Sequence, residues 1–179
     1  MGKKLADIKA EVDESTVDFL EYLKLHVDNE VYNFLLYLSG KTNLYIFSGV
    51  IRNFFLKVPE IRDLDIVIES DVEIDNYFGD TTLVRLNSFG GYKINIGNLN
   101  IDLWSLEKTW AIQYQKRLDV GIEDLYRFIP STAFFNFSAI LFSFNEKKFY
   151  YKKDFLSFLS SREINYVYIP NANYSLCVV

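Results

Sequence analysis

The chain has 179 residues, of which 50% are hydrophobic and 17% aromatic, and its net charge is −5. This length suits one domain with a sizeable core, and the acidic balance argues against a large, non-specific polyphosphate-binding surface while leaving room for a local basic pocket. Cys177 is the only cysteine, which excludes an internal disulfide framework. No run approaches the ~18 apolar residues of a membrane span, and Met1 to Asp7 lacks the pattern of a signal peptide or a myristoylation site, so the expected compartment is the cytoplasm.

From Leu5 to Leu38 apolar residues recur at helical spacing (Phe19, Leu20, Leu23, then Val31, Phe34, Leu35, Leu38), and Val27-Asp28-Asn29 is expected to divide two helices. Ser39-Gly40 suits a helix end. Leu44 to Phe47 reads as a short buried strand, Ser48-Gly49 as a turn, and Val50 to Lys57 as a helical turn or two stopped by Pro59. Ile61 to Ile68 is a strand, crowded with apolar and β-branched residues. Thr81–Leu86, Tyr92–Ile96 and Asn100–Trp104 alternate as strands, joined by Phe89-Gly90-Gly91 and Gly97-Asn98. Leu106 to Gln115 and Gly121 to Phe128 read as helical. Phe134 to Phe144 fits helix, strand, or one followed by the other. A turn at Asn145–Lys148, a strand Phe149–Tyr151, a short amphipathic helix Asp154–Ser161 and a strand or loose tail from Ile164 complete the chain. The order implies an α+β fold with a mixed β-sheet flanked by helices, N-terminal helices (1–40), an α+β core (41–179) and a C-terminal hairpin, all in one domain.

The most informative stretch is Asp63-Leu64-Asp65. Side chains alternate along a strand, so both carboxylates share a face with roughly 6.5–7 Å between their Cα atoms. Two carboxylates that close repel unless a cation lies between them, and a divalent metal is the usual solution. Asp102, between Ile101 and Leu103, points to one face of its own strand. If that strand lies beside the first, three carboxylates form a cup suited to two Mg2+ ions about 3.5–4 Å apart. Each aspartate taken alone also reads as an ordinary surface or strand-end carboxylate. The Ser48-Gly49 turn offers backbone N–H groups that suit phosphate, and Arg52, one turn on, has the forked guanidinium that pairs with it. A plain strand-to-helix turn with a surface Arg is the other reading. The aromatic side chains suit core packing or base stacking.

Ser48-Gly49-Val50-Ile51-Arg52-Asn53 followed by Asp63-Leu64-Asp65 resembles the Gly-Gly-x-Val-Arg-Asp … Asp-x-Asp signature of the polymerase-β-like nucleotidyltransferases, in the form seen in the head domain of CCA-adding enzymes and bacterial poly(A) polymerases. Phe134-Phe135-Asn136-Phe137-Ser138-Ala139 resembles the family's Phe-Thr-Ile-Asn-Ala-Leu-Ala more faintly, and the resemblance covers about residues 44 to 165. It implies metal-dependent transfer of a nucleoside monophosphate from an NTP to an acceptor hydroxyl, with release of pyrophosphate. Asp63, Asp65 and Asp102 are then the catalytic, metal-binding residues for two Mg2+ or Mn2+ ions, and Ser48, Gly49, Arg52 and Asn136 bind nucleotide.

The acceptor is left open as an RNA end, a protein or a small molecule. An extended nucleic-acid surface and CCA addition to tRNA are not expected, and a protein partner is compatible with so small a core. Three places depart from the pattern: Ser48 replaces the first Gly, Asn53 replaces Asp, and Pro130-Ser131-Thr132 stands where the family has Arg-Arg-Asp. They keep open an alternative, a catalytically degenerate relative that binds nucleotide or a protein. His26 is the only histidine, so neither a His-based triad nor a His-rich metal site is available.

Overall fold

Ser15 breaks the N-terminal region where spacing alone expects one helix up to Val27. Its hydroxyl turns back onto the Glu11 carbonyl, and its N–H reaches the carbonyls of Glu11 and Val12, which ends a helix by local competition for the backbone. The computed structural model describes residues 4–74, 77–78, 83–86, 90–109, 112 and 126–167. It shows three helices here: α1 (Leu5–Glu14), α2 (Thr16–His26) and α3 (Asn29–Ser39). α1 buries Ile8 and Val12, and the stripe expected from spacing is buried in the other two at Phe19 and Leu23, then Val31, Phe34, Leu35 and Leu38, with Leu20 partly buried.

The strands are β1 (Leu44–Phe47), β2 (Asp63–Ile68), β3 (Leu83–Leu86), β4 (Tyr92–Ile96), β5 (Leu99–Ser105), β6 (Ile140–Ser143) and β7 (Lys148–Tyr151). Helix α4 (Gly49–Phe55) follows β1, a single turn α5 (Ile129–Thr132) precedes β6, and α6 (Lys153–Ser161) follows β7. They form one seven-stranded sheet in the order β3-β4-β5-β2-β1-β6-β7. β2 and β5 run parallel, and the other neighbours are antiparallel. The fold is therefore α+β with a mixed sheet, and β6–β7 is the C-terminal hairpin.

The two faces of this sheet differ. On one, the row Phe149, Phe142, Ile46, Ile66, Leu103 is set by strand register and buried in the main core with α1 to α4 and α6. Phe19 of α2 packs its ring on Phe54 of α4, Phe142 and Phe149, at centroid distances of 5.3, 4.8 and 5.3 Å. The opposite face carries a smaller cluster of Tyr45, Val67, Leu106, Tyr126, Ile129 and Leu141. That cluster covers only part of the face, and the acidic residues occupy the remainder.

Several expectations are refined. The helix expected over Leu106–Gln115 begins as a 3₁₀ turn, Leu106–Lys108, closed by the Thr109 N–H on the Leu106 carbonyl at 3.1 Å. Apart from Thr109 and Ile112, the remainder of that stretch lies outside the described residues, as do 121–125 of the next expected helix. The ambiguous run Phe134–Phe144 resolves into a 3₁₀ turn, Asn136–Ser138, and then β6. Of the strand expected over Thr81–Leu86, 83–86 is β3 and 81–82 lies outside the described residues. In the tail, Tyr166 makes an isolated antiparallel bridge to Phe135, and Cys177 lies outside the described residues. Among the described residues no helix is long and apolar enough to cross a membrane.

Candidate active site

The parallel pairing of β2 with β5 sets Asp65 abreast of Asp102, and Asp63 abreast of Asn100. Residues in register on neighbouring strands share a face, with strands about 4.8 Å apart. The row continues to Lys93 of β4 on one side and to Phe47 of β1 on the other. Burial pushes the Asp65 carboxyl up to about 6, and the charges of Asp102 and Asp63 add to this while Lys93 opposes it. Asp65 is short of positive charge.

The carboxylates turn to different neighbours. Asp102 Oδ1 lies 3.7 Å from Lys93 Nζ, and Asp63 Oδ1 accepts a hydrogen bond from Asn100 Nδ2 at 3.2 Å. Among the described residues no three acidic, His or Cys side chains stand together ready to hold a metal. The expected cup is thus present in strand register and absent from side-chain arrangement. Three like charges repel, and Asp102 and Asp63 turn toward the cationic and polar groups beside them. The donor set still suits a hard divalent cation: it is all oxygen, on one face, and includes a half-buried carboxyl whose pKa is raised by desolvation and by the charges of Asp102 and Asp63.

Asp65 and Asp102 lie on the floor of a cleft of about 440 Å³, with Phe47 and Trp104. One wall is Ser48, Ser138 and the segment Thr132–Phe135; the other is Gly91, Lys108 and Thr109. Trp104 Nε1 donates to Thr109 Oγ1 at 3.1 Å, and Lys108 Nζ pairs with Asp71 at 3.1 Å, so this second wall is tied down.

Ser48 holds φ 62° and ψ −106°, a conformation that strains any residue with a Cβ, by roughly 1–3 kcal/mol. Its N–H bonds the Ile140 carbonyl at 3.3 Å and its hydroxyl bonds that of Ser138 at 2.8 Å. The β1–α4 turn is thereby clamped to the start of β6. α4 has only seven residues, so its dipole is weaker than a strand-to-helix turn read from sequence suggests. A Cβ built on Gly49 would meet nothing closer than Arg52 Nη2 at 3.9 Å. The fold leaves room for a side chain there and does not itself demand glycine.

Of the expected site residues, Asp63, Gly49, Arg52 and Asn136 are not in the cleft lining. The Arg52 guanidinium lies 5.3 Å from the Phe137 ring centroid and donates from Nε and Nη2 to Asn53 Oδ1 at 3.2 and 3.0 Å. Burial, and after it the charge of Arg62, lower its pKa. Asn53, a departure from the family pattern, also donates to the Glu60 carbonyl at 3.0 Å and so anchors Arg52 to the approach of β2. Asn136, expected to touch nucleotide, is 1% exposed. Its amide donates to the Glu163 carbonyl at 2.9 Å and accepts from the Asn165 N–H at 3.0 Å, strapping the tail behind Phe134 and Phe135.

The chain resembles solved structures over most of its length. A CCA-adding enzyme in complex with ATP matches with a TM-score of 0.61 at 19% identity, covering 83% of this chain and 36% of that one. The Thermotoga maritima CCA-adding enzyme in complex with tRNA matches with a TM-score of 0.54 at 17% identity, covering 83% and 35%. A tRNA nucleotidyltransferase with a primer tRNA and an incoming ATP analog matches with a TM-score of 0.52 at 18% identity, covering 73% and 37%. The chain has a nucleotidyltransferase fold. It spans about a third of the length of the solved structures it matches. No protein-family model matches the sequence, and no curated protein is significantly similar to it.

Within this nucleotidyltransferase fold, sequence reasoning missed Lys93, Lys108, Ser138 and the wall Thr132–Phe135. Lys93 and Lys108 had no local signal, because their partners Asp102 and Asp71 are fixed by strand and loop packing. Thr132 belongs to the Pro130-Ser131-Thr132 departure; although it lacks the family's charges, it lines the cleft.

Proposed function

We propose that this chain is the core of a metal-dependent nucleotidyltransferase that moves a nucleoside monophosphate from an NTP to an acceptor hydroxyl and releases pyrophosphate. The observation that carries this reading is the register of the β2–β5 pair, which sets Asp65 beside Asp102 on the floor of a cleft walled by the Ser48 turn.

Asp63, Asp65 and Asp102 are the residues that would hold Mg2+ or Mn2+, two ions in the full reading. When bound, such ions neutralise phosphate charge and lower the pKa of an attacking hydroxyl. The chain's own residues do the rest. The linked hydroxyls of Ser48 and Ser138 present donors at the cleft edge. The space over Gly49 lets a phosphate approach the backbone closely. Trp104, Phe134 and Phe135 supply apolar walls that suit a nucleobase or the apolar part of an acceptor. The acceptor belongs to the class of hydroxyl-bearing molecules: an RNA end, a protein side chain or a small molecule.

The test is incubation of the protein with each labelled NTP, Mg2+ or Mn2+, and cell extract. Label appears in one class of acceptor with release of pyrophosphate, and disappears with EDTA or with Asp63→Ala/Asp65→Ala. Absence of transfer from every NTP, with nucleotide-induced thermal stabilisation that survives the double substitution, would instead identify a nucleotide-binding protein without transfer activity.

Gly49→Ala separates fold from ligand. The methyl group fits in the free protein, and alanine is the better helix former by up to about 1 kcal/mol. Tm is therefore expected to hold or rise. The methyl would occupy space claimed by phosphate, so KM for NTP is expected to rise about tenfold, equivalent to about 1.4 kcal/mol. An unchanged KM would remove Gly49 from the phosphate site.

A further inference from the structure

Lys93 stands in the acidic row itself. It is the cross-strand partner of Asp102, which in turn is the partner of Asp65, so the three lie side by side on β4, β5 and β2. Its ammonium is 3.7 Å from Asp102 Oδ1 and its side chain is 65% exposed. Among the charges that act on Asp65, Lys93 is the one that favours the ionised form.

As a structural staple this pair is weak. An exposed ion pair contributes little to stability, and β4 and β5 are already held by their ladder and by Ile94, Ile96, Ile101 and Leu103, which are buried on the other face. The pair matters more for what it covers. Asp102 is one of the carboxylates that would hold a divalent ion, and Lys93 already neutralises it.

We propose that Lys93 is a built-in counter-cation of the carboxylate row, which holds Asp102 until a divalent ion displaces it and thereby weakens metal binding by the nucleotide-free protein. The inference rests on the metal-dependent reading above. A doubly charged ion held by Asp65 and Asp102 would be repelled by an ammonium on the neighbouring strand, enough to weaken its binding about tenfold. The flexible, exposed lysine stem lets the ammonium swing out, so the barrier is one of free energy and not of packing. A monovalent ion gains too little from Asp65 and Asp102 to drive that exchange. A divalent ion that arrives with a triphosphate brings negative charge, which the displaced ammonium can face. Lys93 is a positioning residue in this scheme, acting on Asp102 and not on the reacting atoms.

The experiment measures Mn2+ binding without nucleotide, at low ionic strength, from the electron paramagnetic resonance signal of free Mn2+. The parent, Lys93→Met, Lys93→Arg and Lys93→Met/Asp102→Asn are compared. Lys93→Met is expected to bind Mn2+ about tenfold more tightly than the parent, the size of the repulsion removed. Lys93→Arg, which keeps the charge, should stay within about twofold of the parent, and adding Asp102→Asn should cancel the gain. Equal or weaker binding by Lys93→Met, with clear binding by the parent, overturns the role of Lys93 and leaves the metal-dependent reading standing. Absence of Mn2+ binding by both parent and Lys93→Met overturns the metal-dependent reading, and this inference with it.

Discussion

Asp65→Asn is expected to inactivate the protein and to stabilise it at the same time. Burial and the charges of Asp102 and Asp63 raise the native carboxyl from 3.8 to about 6, so the folded protein binds this proton more tightly than the unfolded chain. The resulting stabilisation is complete below about pH 4 and is lost as pH rises through about 6. At pH 8 the native state holds an ionised, half-buried carboxylate beside like charges, and the substitution relieves up to about 3 kcal/mol. Urea unfolding in EDTA should show this gain at pH 8 and a smaller one at pH 4.5. Added Mg2+ should raise the stability of the parent and leave the variant unchanged. Transfer activity should fall on the order of a thousandfold, the scale of losing a main electrostatic contact at the reacting centre. A variant less stable than the parent at pH 8 would mean that Asp65 is a structural acceptor, and the carboxylate row would lose its functional reading.

Phe19→Ala is expected to give the largest loss of stability, about 4 kcal/mol. The ring is fully buried where α2 meets α4 and the β6–β7 hairpin, against Phe54, Phe142 and Phe149. Truncation removes those contacts and leaves a void that rigid strand neighbours close poorly. Against a total of about 5–15 kcal/mol for an ordinary domain, this is enough to lower Tm markedly. The effect also reaches the cleft, because α4 carries the Ser48–Arg52 turn on its N-terminal side, so any stabilisation by NTP should weaken with it. Thermal melts with and without NTP provide the check. A change below about 1 kcal/mol would mean that the N-terminal helices fold as a separate unit, against the expectation of one domain over 1–179.

Much of this was readable locally. Strand periodicity puts Asp63 and Asp65 on one face, because alternation is a property of the strand alone. The apolar stripes of α2 and α3 mark the buried faces, although the break at Ser15 depends on a hydroxyl-to-carbonyl contact that competes with an otherwise acceptable helix. The signature around Ser48 and Asp63 pointed to the fold class that the solved structures share. Asn136 shows where such reading fails. A single Asn inside Phe134–Phe137 signals a buried amide that must find partners, but whether those are a ligand or the backbone of Glu163 and Asn165 depends on where the tail returns.

The amino-acid order by itself determined most of the strands and helices, which side chains along them share a face, and that a pair of carboxylates stands two residues apart, since these follow from backbone geometry within a few residues. Only the tertiary structure decided that Asp102 lies beside Asp65, that Lys93 is bound to it, and that Asn136 holds a strap and does not line the cleft. Two of those relations join segments tens of residues apart and the third spans a hairpin; all are settled by strand register and core packing, which no local pattern encodes.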